Sequence, residues 1–188
     1  QLNGQRFEAE RILDKLRANY PDNLDVVLKL VELLNKSGRQ AQAQSLIQQT
    51  ANSNSDVRLE LAKGRMLLQN ERAEEAMTVV TQLLAQQPDS AEFQQFKSSV
   101  LIKLRRPEDA QGLLLSLLER QPDYYEAQLN LATTYNMLGD VVQARILLER
   151  LHKERPEDSF VKFSLGQTYA LDNTPHKAIG LLEAVRTG

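Results

Sequence analysis

Apolar residues along this chain fall in short stripes, each opened by an alanine. Ala9, Ala43, Ala76, Ala110, Ala144 and Ala178 are followed four residues on by Leu13, Ile47, Val80, Leu114, Leu148 and Leu182. Three further on stand Leu16, Thr50, Leu83, Leu117, Leu151 and Val185. An i, i+4, i+7 stripe covers one face of an α-helix, and the period-two alternation of a half-buried strand is absent. The alanine at the head of each stripe lets a neighbouring helix approach closely. The alanines step by 34, 33, 34, 34 and 34 residues, a period that marks stacked helix pairs sharing one continuous core.

The alanine-led segment is termed helix B. Upstream of it a second amphipathic segment, helix A, is predicted; Leu129, Leu131, Ala132 and Tyr135 ahead of Gly139 show it best. Five residues before the alanines stand Gly4, Gly38, Glu71, Arg105, Gly139 and Asn173. Gly and Asn suit a left-handed residue closing helix A. Glu71 and Arg105 do not, and Asn70 is expected to take that conformation in its own unit. Pro107 and Pro175 fit the first turn of helix B, with Thr174 as an N-cap. Pro21, Pro88, Pro122 and Pro156 end their B helices, each followed by an acid that favours the next helix start.

The pattern gives one solenoid over residues 1–188, with units at about 1–22 (partial), 23–56, 57–90, 91–124, 125–158 and 159–188. The unit ending at Asp56 lacks its proline and is one residue short, so the Ala51–Asp56 link is expected to be the most mobile joint. Ala144, heading the most regular stripe, is expected to resist enlargement more than Ala127 in the first turn of a helix A. The first unit begins at helix B and the last lacks a polar capping helix after Val185, so a piece of a longer array is expected.

A 34-residue helix pair carrying Leu131, Ala132, Tyr135, Gly139, Ala144, Leu148 and Pro156 resembles the tetratricopeptide repeat, except that Gln128 replaces the early Trp. Leu165, Gly166, Tyr169, Ala178 and Leu182 match in the last unit, whereas Lys63 and Lys97 occupy the usual Leu position in two others. The resemblance implies an all-α, right-handed α-α superhelix of helix hairpins that binds proteins or peptides.

In that family the concave wall is lined mainly by helix A, at its second, fifth, ninth, twelfth and thirteenth positions. The resemblance then implies fifth positions Leu28, Leu61, Gln95, Leu129 and Phe163, and ninth positions Glu32, Arg65, Ser99, Thr133 and Gln167. Second positions are Asp25, Arg58, Glu92, Glu126 and Phe160. The Lys and Asn with which some members clamp the acidic tails of heat-shock chaperones are missing here. The candidate groove comprises Leu28, Leu61, Arg65, Leu129, Thr133, Asn136, Phe160, Phe163 and Gln167. Its leucines either pack between A helices or offer an apolar strip to a partner segment. Phe160 and Phe163, near Tyr124 and Tyr125, are the expected hot spot, with packing at the end of the repeat stack in the intact array as the competing role.

Catalysis is not expected. His152 and His176 lie 24 residues apart without a triad or metal spacing, and both read as surface helix residues. Glu74 and Glu75 sit on a solvated face suited to ion pairing. No phosphate-cradling loop surrounds Gly112 or Gly180, and no cofactor or metal is expected. With 23 basic and 25 acidic residues the charges nearly cancel, which argues against nucleic acid and for weak salt dependence of binding. Apolar runs are too short for a membrane helix. Absence of cysteine removes disulfides and thiolate chemistry and gives a slight lean to an oxidising compartment.

The sequence therefore points to a protein-interaction scaffold in the cytoplasm or a bacterial periplasm. The Gln-, Leu- and Ala-rich composition leans toward a bacterial envelope or export assembly. Two rivals remain: a regulatory or substrate-positioning repeat region of a larger enzyme such as a glycosyltransferase, and a structural scaffold that self-associates end to end.

Overall fold

The computed structural model describes residues 2–20, 23–51 and 56–187. Eleven helices and no strand occur among them. A lone helix α1 (Leu2–Asn19) precedes the pairs α2 (Leu24–Lys36) and α3 (Gln40–Ala51), then α4 (Val57–Gln69) and α5 (Ala73–Gln86). Next come α6 (Ala91–Lys103) and α7 (Pro107–Arg120), α8 (Tyr125–Leu138) and α9 (Val141–Glu154), and finally α10 (Ser159–Leu171) and α11 (Pro175–Thr187). The even-numbered helices are the A helices of the sequence pattern and the odd-numbered ones the B helices. Pro21 and most of the Ala51–Asp56 link, whose mobility was an expectation, lie outside the described residues.

The repeat is written in the helix ends. Asn23, Asp56, Ser90 and Asp158 cap their A helices with side-chain oxygens that accept from backbone N–H groups in the first turn. Gly38, Glu71, Arg105, Gly139 and Asn173 all take positive φ, at 73°, 62°, 58°, 80° and 53°. Here one expectation is corrected: Asn70 has φ −89° and the left-handed residue of its unit is Glu71. In both non-glycine turns the backbone bond that closes helix A, Arg72 N to Leu67 O and Arg106 N to Leu101 O at 2.9 Å each, requires the residue between to turn left-handed. Closure of the hairpin overrides the preference of the side chain.

Residues 1–88 and 89–188 form two compact units. In the first, α2 packs on α1, α3 and α4, and α4 also packs on α3 and α5. Its core joins Val27, Leu30, Val31 and Leu34 of α2 with Ala43, Leu46 and Ile47 of α3 and Leu59 and Met66 of α4. In the second, α8 packs on α6, α7, α9 and α10, while α10 packs on α9 and α11. One of its cores joins Leu129, Ala132, Leu148, Leu151, Val161, Leu165, Tyr169 and Ala178. Within their units α2, α4, α8 and α10 thus each meet their own B helix, the preceding one and a neighbouring A helix.

Ala43, Ala76, Ala110 and Ala144 have no exposed surface, as residues at close helix crossings. A second correction follows at Ala127, which is equally buried. The third position of helix A is buried in four repeats (Leu59, Phe93, Ala127 and Val161), and in α4, α8 and α10 the preceding B helix packs on that helix. The eighth position stays small at Gly64, Ser98, Ala132 and Gly166. At Gly166 a Cβ would stand 2.9 Å from the Leu182 side chain, so α10 and α11 approach through that glycine.

Polar side chains tie repeat to repeat inside the second unit. Asn130 Nδ2 donates to the Ser98 and Ser99 hydroxyls at 2.8 Å each. The Tyr125 hydroxyl donates to the Asp158 carboxylate while the Arg155 guanidinium stacks 3.7 Å from the Tyr125 ring centroid. The Tyr169 hydroxyl donates to Glu149 Oε1 at 2.8 Å. No helix among the described residues is long and apolar enough to cross a membrane.

Candidate partner-binding groove

Three A helices in mutual contact, α6 to α8 and α8 to α10, bound an open groove of about 740 Å³ in the second compact unit. From α8 it is lined by Thr133, Asn136 and Met137, which recur at helical spacing on one face. From α10 come Ser164, Gln167, Ala170 and Leu171. Ile102 and Lys103 at the end of α6, with Arg105 in the following turn, complete it.

Of the residues singled out from sequence, Thr133, Asn136 and Gln167 meet in this groove. Phe163 and Phe160 lie one and two turns from Gln167 on the same face of α10, and are 44% and 59% exposed. Leu129 sits one turn before Thr133 on α8 but is only 9% exposed and packs with Val161 and Leu165. In the first compact unit Leu61 is 4% exposed, Leu28 packs half-buried against the core, and Arg65 is exposed. Leu61 is thus buried, Leu129 is committed to packing against α10, and Phe163 at the equivalent position presents apolar surface.

Hydrogen bonds fix the polar part of the groove. Asn136 Nδ2 donates to Thr168 Oγ1 at 2.7 Å, and Thr168 donates in turn to the Ser164 carbonyl at 2.9 Å. Asn136 Oδ1 is buried without a hydrogen-bond partner among the described residues. Thr133 Oγ1 donates to the Leu129 carbonyl at 3.1 Å and keeps its acceptor capacity. Such a face offers amide and hydroxyl groups beside apolar ones.

The sequence reading left out Ile102, Lys103, Met137, Ser164, Ala170 and Leu171. All but Ser164, at the sixth position of α10, occupy the twelfth or thirteenth position of their A helices, so extending the carried-over positions beyond the ninth would have found those five. Arg105 gave no such signal, because it stands in the turn. Among the described residues no His, Asp and Glu group is arranged to hold a metal. His176 is exposed, whereas His152 is half-buried with Nδ1 shielded and without a hydrogen-bond partner among the described residues. Glu75 pairs with Arg72 at 2.5 Å.

Two stretches of the sequence, residues 28–91 and 101–162, match family models described as tetratricopeptide repeat. The chain belongs to the tetratricopeptide repeat family. No curated protein matches it. Among solved structures it is similar to a tetratricopeptide repeat protein of Parabacteroides merdae, at 18% identity over 98% of this chain and 74% of that one, with a TM-score of 0.70. A thermophilic tetratricopeptide repeat protein of Thermus thermophilus shares 19% identity over 85% of this chain and 88% of its own, with a TM-score of 0.76. YrrB, described as having an unusual peptide-binding site, shares 17% identity over 92% and 90% of the two chains, with a TM-score of 0.55.

Proposed function

We propose that the chain is a protein-interaction scaffold that holds a partner segment along the A-helix face of its second compact unit. The carrying observation is the convergence of Thr133, Asn136 and Gln167 in one groove, with exposed Phe163 and Phe160 on the adjoining turns of α10. Family membership supports the coarse role, since tetratricopeptide repeats are typically non-catalytic scaffolds. YrrB, with its peptide-binding site, is a precedent on a similar fold. Phe163→Ala should weaken a captured partner segment by about 1–3 kcal/mol, as for an exposed aromatic anchor, with little change in Tm. A large fall in Tm with unchanged affinity would make Phe163 a packing residue and defeat the reading.

A second reading is favoured by one comparison along the repeat: Leu129 is covered by α10, whereas Phe163 at the equivalent position is open. That face would also suit end-to-end self-association, which light scattering across concentration tests.

A further inference from the structure

We infer that the chain pairs weakly with a second copy of itself through the outward rows of α7 and α9, each α7 lying against α9 of the other copy about a two-fold axis parallel to these helices. Both helices pack on α8, and each runs over 14 residues. Counted from the buried Ala110 and Ala144, the residues two before and two, five and nine after lie opposite the core. On α7 these are Glu108, Gly112, Leu115 and Glu119, and on α9 Val142, Ile146, Glu149 and Lys153. All are exposed except Glu149, which is half-buried and accepts from Arg145 and Tyr169. This face shares no residue with the groove or with Phe160 and Phe163, so it stands independently of the partner-segment reading and of end-to-end association.

Each row supplies what the other lacks. Ile146 is 53% exposed on α9, and the equivalent position of α7 is Gly112. A Cβ at Gly112 would meet nothing within 4 Å, so packing inside the chain does not call for glycine there, in a helix that glycine disfavours. A small residue at a crossing lets two helices approach to the near end of the usual range of about 8–10 Å. Towards the C-terminal ends α7 carries Glu119, whereas α9 carries Lys153 with Arg150 exposed beside it. Equivalent positions of successive repeats lie at nearly the same height. An axis between α7 and α9 therefore sets Ile146 on Gly112 of the second copy, with Leu115 alongside, and Lys153 on Glu119. Symmetry forms each contact twice. An axis through α9 would set Lys153 on Lys153, and one through α7 Glu119 on Glu119, so charge selects the crossed pairing. Two helices about 21 Å long and about 10–12 Å across offer a face of roughly 400–500 Å². A standard interface takes about 800 Å² per partner, so the dimer is weak, with a Kd on the order of 100 µM.

Sedimentation equilibrium from about 10 µM to about 1 mM tests this. The chain should pass from monomer to dimer and no further, because a two-fold contact closes on itself. Glu119→Lys and Lys153→Glu should each weaken the dimer at least about tenfold, since like charges then meet at both contacts. An equimolar mixture of these two variants should associate again as a heterodimer, in which every altered charge faces its opposite. Gly112→Gln should also weaken the dimer about tenfold by filling the gap, while the Tm of the monomer does not fall, glutamine being the better helix former at an exposed position. A monomer across the whole range would overturn the inference. So would a dimer indifferent to Gly112→Gln, or charge reversals that the mixture does not rescue. A dimer lost on Phe163→Ala but kept in the α7 and α9 variants would assign association to the end of the stack instead.

Discussion

Arg105 holds φ 58° at a position where a left-handed backbone costs an L-residue about 1–2 kcal/mol. Glycine carries no such strain but gains entropy in the unfolded chain, which offsets roughly 0.5–1 kcal/mol of that. Arg105→Gly should therefore raise stability by about 0.5–1 kcal/mol in denaturant unfolding. An unchanged or lowered stability would mean that the arginine side chain supports the turn. The strained turn also shows where residue-level reading fails. Glu71 and Arg105 break the left-handed preference locally, and only the spacing of Gly38, Gly139 and Asn173 around them reveals what the hairpin demands. Ala127 fails for the opposite reason: one alanine in a first turn looks exposed until aligned with Leu59, Phe93 and Val161. Ala127→Leu and Ala144→Leu should each destabilise by about 1–3 kcal/mol, since both side chains are fully enclosed. A wild-type melting curve for Ala127→Leu would contradict that placement.

Helix by helix, the stripes headed by alanine specify their elements well. Every B helix carries its predicted alanine, and Pro107 and Pro175 open theirs. What the stripes leave out is the polar joinery between helices, because hydrogen bonds such as Asn130 to Ser98 link residues of no distinctive pattern. Two tyrosines show what that joinery does. Burial and the Asp158 carboxylate push the Tyr125 phenol well above its ordinary range. Burial also opposes ionisation of Asp158, but the Tyr125 hydroxyl and the backbone N–H groups of Val161 and Phe160 hold its carboxyl below the usual value. Burial, then the Glu149 carboxylate, pushes Tyr169 up to about 12. Because the folded pKa exceeds the unfolded value near 10, the Tyr169 contribution is complete below pH 10 and fades as pH rises toward 12. Tyr169→Phe should lower Tm at pH 8, and the gap to wild type should shrink between pH 10 and 12. A gap that persists at pH 12 would mean that ring packing, not the phenol proton, carries the difference. For Asp158 the sign reverses: its contribution is present above the unfolded value of 3.8 and is lost as pH falls through the lower folded value.

At the scale of the whole molecule, the 34-residue period made the fold legible, while the candidate site was only partly so. Thr133, Asn136 and Gln167 converge as the repeat positions imply, but the repeat cannot tell a leucine taken up between helices from one left open. Leu61, Leu129 and Phe163 share a position, and only the neighbours present in three dimensions separate them. The central claim is that a partner lies on the A-helix face of the second unit. The chain has no cysteine, so a single introduced thiol reports on one place. Gln167→Cys in the groove and Glu119→Cys on exposed α7 can each be labelled with a maleimide, with and without a partner segment bound. The account predicts strong protection at position 167 and none at 119. Protection at 119 with free labelling at 167 would contradict it.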